Sequence, residues 1–166
     1  MVVHERLSTI RDLPDGVLLE FRRSWPVRIE TVWSALTEPE RMARWLGSYE
    51  GERGSGGTGT FTMTQEAELV GEPMRIVECE PPHRLLVEWA GEQRWRVQVD
   101  LSMEDGCAVL RFGQVFPPGT ELSDVAAGWH WYLDKLDAEI TGVPQPADWD
   151  TFLATTGRAY GLAPET

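Results

Sequence analysis

The stretch Trp25-Pro26-Val27-Arg28-Ile29-Glu30-Thr31-Val32-Trp33-Ser34-Ala35-Leu36-Thr37-Glu38-Pro39-Glu40-Arg41-Met42-Ala43-Arg44-Trp45-Leu46-Gly47 reads as two short helices back to back. Pro26 lacks an amide donor, so it ends whatever strand precedes it. Ile29, Val32, Trp33 and Leu36 then recur at helical spacing on one face. Thr37 stands where a cap for the second helix is needed, with Glu40 three residues on to return the hydrogen bond and Pro39 tolerated in the first turn. Met42, Trp45 and Leu46 give that helix its apolar stripe, and Gly47 ends it.

Working outward, the segment before this pair is a strand. From Val17 to Trp25 the apolar residues Val17, Leu19, Phe21 and Trp25 fall at odd positions, as in a strand with one dry face. The residues ahead of it end in the turn Pro14-Asp15-Gly16 and read as a loose lead-in or an added edge element. After the helix pair comes a glycine-rich loop, Gly51 to Gly59, expected to be flexible, and then a strand from Thr60 to Gln65 with Phe61 and Met63 on one face. Pro73 to Glu80 and Arg84 to Trp89 are two more strands, separated by Pro81-Pro82-His83, where two prolines forbid continued pairing. In Arg94 to Met103 the residues Trp95, Val97, Val99, Leu101 and Met103 alternate with polar ones. Asp105-Gly106 supplies a hairpin turn, and Cys107 to Phe116 returns as the last strand.

The period then changes from two to between three and four. Thr120 stands as a helix cap with Glu121 and Asp124 behind it, and Leu122, Val125, Ala126, Trp129, Tyr132, Leu133, Leu136 and Ile140 form one wide apolar face. Gly128 beside Trp129 suits a close approach to the sheet, and Gly142 and Pro144 end the helix. A strand, two short helices, a run of antiparallel strands and one long helix is an α+β arrangement. The curved sheet must wrap the long helix, which leaves a cleft where the sheet is wider than the helix can fill. The tail from Pro146, with Trp149, Phe152, Leu153 and Tyr160, predicts a short extra helix. This divides the chain into a lead-in at 1–16, a core domain at 17–142 and an extension at 143–166.

Composition narrows the partners. The 166 residues carry a formal charge of −12 and a single lysine, so binding to nucleic acid or to an anionic membrane surface is not expected. No apolar run approaches the roughly 18 residues of a membrane span, and the expected location is the cytoplasm. Cys79 and Cys107 on separate strands read as two small buried hydrophobes in a reducing compartment.

The order of elements, with Val32-Trp33-Ser34-Ala35-Leu36-Thr37-Glu38-Pro39-Glu40 before Trp45 and Gly128-Trp129-His130-Trp131-Tyr132-Leu133-Asp134-Lys135-Leu136 near the end, resembles the START-like (SRPBCC) superfamily. Within it the chain is similar to the branch of homologues of the activator of heat-shock protein 90 ATPase. The resemblance spans roughly Leu18 to Thr141. It implies a helix-grip fold with an internal apolar pocket.

Several chemistries are excluded by context. Gly54-Ser55-Gly56-Gly57-Thr58-Gly59 matches the dinucleotide fingerprint in letters, but that fingerprint needs a strand before it and a helix after it. Here a helix is expected before and a strand after, so no cofactor is expected. His4, His83 and His130 are not spaced as metal ligands, and His130 should point from the long helix into solvent. The acids Glu66, Glu68, Glu78, Glu80 and Glu88 read as the solvated face of the sheet. Arg23 and Gln114 are different, because each falls in phase with inward apolar positions and so needs a partner. Each either lies at a strand end, reaching solvent or an acid, or orients a ligand's polar end.

These residues lead to noncatalytic binding of a hydrophobic or aromatic small molecule in an internal cavity. The lining expected from phase and resemblance comprises Trp45, Phe61, Met63 and Met74 together with Trp95, Phe112, Gln114, Trp129 and Leu133. Trp45 is expected at the cleft mouth with one face free, and Trp33 and Trp129 in the core. Two alternatives share the fold: a protein-interaction module or chaperone-ATPase regulator, and a cyclase or dehydratase-like enzyme with a carboxylate or histidine in the cavity. The chain is expected to be a monomer or homodimer.

Overall fold

A computed structural model describes residues 8–64, 70–89, 95–144 and 148–160 of the chain. Eight antiparallel strands form one sheet: β1 (Thr9–Leu13), β2 (Gly16–Trp25), β3 (Gly47–Gly51), β4 (Thr58–Met63), β5 (Gly71–Glu80), β6 (Arg84–Trp89), β7 (Arg96–Glu104) and β8 (Cys107–Phe116). Their spatial order is β1-β2-β8-β7-β6-β5-β4-β3, so the chain leaves β2 at one side of the sheet and re-enters as β3 at the far edge. The crossing is made by α1 (Ile29–Thr37) and α2 (Pro39–Met42). The long helix α3 (Ser123–Thr141) follows β8, and α4 (Trp149–Thr155) with a 3-10 turn (Thr156–Tyr160) closes the described chain.

The inner face of the sheet is continuous across register. Val17, Leu19, Phe21 and Trp25 of β2 pair with Phe116, Gln114, Phe112 and Ala108 of β8. Gln114, Phe112 and Leu110 in turn pair with Val97, Val99 and Leu101 of β7. All of these are buried, together with Leu133 and Leu136 of α3. A bulge between Ile76 and Glu78 of β5 shifts the phase, so that Cys79 pairs with Leu85. The Asp-Gly hairpin takes φ of 50° at Asp105 and 80° at Gly106, which is why glycine is needed at the second position.

Of the two readings of the lead-in, the added edge element is the one found: it forms β1, paired along β2 at the margin of the sheet. Several other local expectations are corrected. Thr37 does not cap α2: its hydroxyl donates to the Trp33 carbonyl, and the N-cap residue is Glu38. Met42, Trp45 and Leu46 are all buried, but α2 has only four residues. From Gly47 onward the backbone is drawn into pairing with β4, a strand the apolar pattern did not reveal. Thr120 does not cap α3 either, since its hydroxyl donates to Pro117 O, while Glu121 accepts from the amide and hydroxyl of Ser123. Gly128 faces open space. Trp33, Cys79 and Cys107 are half-buried, and both cysteines are free thiols. Arg94 and the acids Glu66 and Glu68 lie outside the described residues.

The glycine-rich loop is held in place. Gly56 N–H donates to Ile76 O, Ile76 N–H donates to Gly57 O, and Cys79 N–H donates to the Ser55 hydroxyl. It joins two strands, β3 and β4, and no helix N-terminus follows it. Among the described residues no helix is long and apolar enough to cross a membrane.

Candidate functional site

Trp129 organises the inner face. It projects from α3 onto β8, where its ring centroid lies 4.6 Å from that of Phe112 and 6.4 Å from that of Trp95. Trp95 meets Phe116 edge-on at 6.2 Å, and Tyr132 meets Trp129 at the same separation. Edge-to-face contacts between aromatic rings at these distances add stabilisation beyond buried area. The structure thus brings together Trp95, Phe112, Gln114 and Trp129 of the expected lining, with Leu133 buried one helical turn beyond Trp129.

Gln114 is the polar member of this wall and is 1% exposed. Its Oε1 accepts the Trp129 indole N–H at 2.8 Å. Its Nε2 is buried and has no hydrogen-bond partner among the described residues. A buried donor left without an acceptor costs about 1–3 kcal/mol, so such a group in a native interior calls for an explanation. The side chain sits in mid-sheet between Leu19 and Val97, not at a strand end.

The other expected lining residues lie further around the sheet. Phe61 is buried on β4 and meets Trp89 edge-on at 5.4 Å; Met74 is buried on β5, and Met63 is half-buried at the end of β4. Trp45 departs from expectation. It is 4% exposed, against 7% for Trp129, and its indole N–H donates to the Ala35 carbonyl at 2.8 Å. No face of Trp45 is free.

Arg23, the second inward polar residue, is 3% exposed and is answered by acids. Its Nη1 donates to Asp134 Oδ1 and to Asp137 Oδ2, both at 3.0 Å. Asp137 Oδ1 also accepts the Trp25 indole N–H at 2.8 Å. The helix lays Asp134 and Asp137 one turn apart on the side facing β2, which is the spacing a single guanidinium can bridge.

His130, expected in solvent, is 3% exposed and continues this cluster. Its Nε2 lies 3.4 Å from Asp134 Oδ2, and its Nδ1 lies 2.8 Å from the Tyr160 hydroxyl. The phenol oxygen accepts Ser8 N–H at 3.1 Å. Every group is satisfied if the phenol donates to Nδ1 and Nε2–H donates to Asp134. The ring is enclosed by Phe21, Phe152 and Tyr160, and Trp149 and Phe152 stack at 5.2 Å against Trp131 on the outer side of α3. The cover is the chain's own C-terminal segment. Burial raises the Tyr160 phenol above its ordinary pKa, outweighing the Ser8 hydrogen bonds and the Arg23 charge, which lower it.

An outward-facing groove of about 570 Å³ separates β1 from the β8–α3 connection, bordered by Ile10, Asp12, Glu121 and Tyr160. Its floor is formed by Val17, Leu122 and Ala126 of the core. Among the described residues no group of three His, Cys, Asp or Glu side chains is placed to hold a metal ion.

A sequence model of the Activator of Hsp90 ATPase homolog 1-like protein family matches residues 26–141. No curated protein matches the chain in sequence. The fold superposes on the crystal structure of CalU16 from Micromonospora echinospora with a TM-score of 0.72, at 28% identity and covering 94% of each chain. A solution structure from Bordetella parapertussis gives a TM-score of 0.72 at 26% identity, covering 93% of this chain and 91% of that one. DynU16, a protein of the dynemicin biosynthetic locus, has the same fold at 24% identity and a TM-score of 0.65; the match covers 82% of this chain and 51% of that chain.

Proposed function

We propose that this chain, which belongs to the family of Activator of Hsp90 ATPase homolog 1-like proteins, binds a hydrophobic or aromatic small molecule between the inner face of its sheet and α3 without transforming it. The observation that carries this reading is the aromatic wall of Trp95, Phe112, Phe116 and Trp129 gathered round a buried, half-satisfied amide, Gln114. Apolar walls with one or two placed polar groups are the usual build of a small-molecule site. Phe61, Met63, Met74 and Leu133 complete the lining in this reading, and Trp45, enclosed on every face, is left out of it.

Binding is favoured over catalysis because the polar group at the wall is an amide, which does not ionise near neutral pH and so cannot serve as a general acid or base. The buried titratable groups Asp137 and His130 are engaged with Arg23, Trp25 and Tyr160 instead. The protein acts in the cytoplasm, where Cys79 and Cys107 stay reduced.

Titration with the neutral fluorescent probe N-phenyl-1-naphthylamine tests the reading. Uptake should saturate at about one probe per chain and quench tryptophan emission, because the indoles of Trp95 and Trp129 border the site. Val97→Phe and Leu133→Phe enlarge buried residues beside Gln114 and Trp129, and should remove binding while leaving the fold intact by circular dichroism. Absence of saturable uptake, or uptake unchanged in both variants, overturns the proposal.

A further inference from the structure

We infer that Gln114 makes this site select an uncharged ligand bearing a hydrogen-bond acceptor, such as a ring ketone, over its hydrocarbon or hydroxylated analogue. The inference rests on the binding reading above and deepens it. Its basis is the orientation of one amide. An indole N–H can only donate, so Trp129 fixes Oε1 of Gln114 toward itself at 2.8 Å. Turning the amide over would set donor against donor. The NH₂ group is therefore committed to the opposite direction, where it meets no acceptor among the described residues.

The surroundings decide the rest. Leu19 and Val97 flank Gln114 in register, Phe112 and Phe116 stand two residues to either side of it on the same face of β8, and Trp129 bonds its amide oxygen. None of these side chains offers an acceptor oxygen, so a carbonyl on a bound molecule would satisfy what the protein leaves open. A ligand hydroxyl could accept from the same N–H, but its own O–H would then be buried with no acceptor among these side chains. An ionised group would be worse placed, since it would be buried with no opposite charge to pair it. The buried charges on the inner face, Arg23 and Asp137, lie toward the other end of β2 and are bonded to each other at 3.0 Å. The flat aromatic wall accommodates the rest of the molecule by stacking and edge contacts.

The test compares naphthalene, 2-acetylnaphthalene and 2-naphthol by equilibrium dialysis against wild type, Gln114→Met and Trp129→Phe. Wild type should favour 2-acetylnaphthalene over naphthalene, and Gln114→Met should lower that ratio about tenfold, or ~1.4 kcal/mol, while still binding naphthalene. Comparing ratios between proteins cancels the difference in water solubility of the probes. Trp129→Phe frees the amide to turn over, so the preference for 2-acetylnaphthalene over 2-naphthol should shrink in a protein that keeps Gln114. That change would not follow from loss of packing alone. Equal ratios in wild type and Gln114→Met, with both probes bound, overturn the acceptor inference and leave the site standing. No uptake of any probe by wild type overturns the site, and the inference with it.

Discussion

Asp137→Ala is the substitution expected to cost this fold most among the polar residues. Two buried donors converge on that carboxylate, Arg23 Nη1 at 3.0 Å and Trp25 Nε1 at 2.8 Å. Removing it orphans the indole N–H, at about 1–3 kcal/mol. It also strips one of two carboxylates from a buried guanidinium. Losing the only partner of such a charge costs about 3–5 kcal/mol, and Asp134 at 3.0 Å retains part of the compensation. The expected total is about 3–5 kcal/mol, set against the roughly 5–15 kcal/mol by which domains are stable. Asp134→Ala should cost less, because its side chain is 21% exposed against 13% for Asp137 and its second buried donor, His130 Nε2–H, lies at 3.4 Å, against 2.8 Å for the Trp25 indole on Asp137. In urea melts followed by tryptophan emission, with a slope of about 2 kcal/mol per molar, Asp137→Ala should lower the midpoint by roughly 2 M. The double variant Arg23→Met/Asp137→Asn keeps an acceptor for Trp25 and leaves only the partly exposed Asp134 carboxylate without the guanidinium, so it should recover part of that loss. A midpoint for Asp137→Ala within 0.5 M (roughly 1 kcal/mol) of wild type, or a larger loss for Asp134→Ala, would refute the reasoning.

Trp45→Ala and Trp129→Ala should each cost about 3–5 kcal/mol, since both indoles are buried and hydrogen-bonded. Denaturant midpoints differing by the equivalent of more than about 2 kcal/mol would mean that one of the two sites is wetter than its burial indicates. The Tyr160 phenol faces His130, with Arg23 and Asp134 behind it, and holds its proton to higher pH than in the unfolded chain. The folded state then binds more protons above pH about 10, so stability from this group is complete below that value and is lost as pH rises through the raised pKa. The melting temperature of wild type should fall more steeply between pH 9 and 11 than that of Tyr160→Phe; parallel profiles would show that burial does not control this phenol.

Much of the architecture was legible because it depends on neighbours two to four residues apart. Alternation placed Arg23 and Gln114 on the dry face, Asp105-Gly106 took its hairpin turn, and Gly142 ended α3 with φ of 77°. The family match spans 26–141, from Pro26 ahead of the helix pair to the end of α3. Strands without alternation were not legible: Gly47-Ser48-Tyr49-Glu50-Gly51 becomes β3 only because β4 is there to pair with it.

By itself, then, the sequence determined the dry faces of β2 and β8, the bounds of α1, β6 and β8 to within a residue, and that two polar side chains turn inward. Tertiary structure decided what those side chains meet. Arg23 finds its acids 111 and 114 residues away, and Gln114 has its amide oriented by an indole on another element. His130 is buried by a segment that returns from 30 residues further on. A periodicity reports only the direction in which a side chain leaves its own helix or strand. Whether a hydrogen-bond acceptor, a carboxylate or an aromatic ring waits there is fixed by chain segments remote in sequence, and at Nε2 of Gln114 the described residues supply no acceptor.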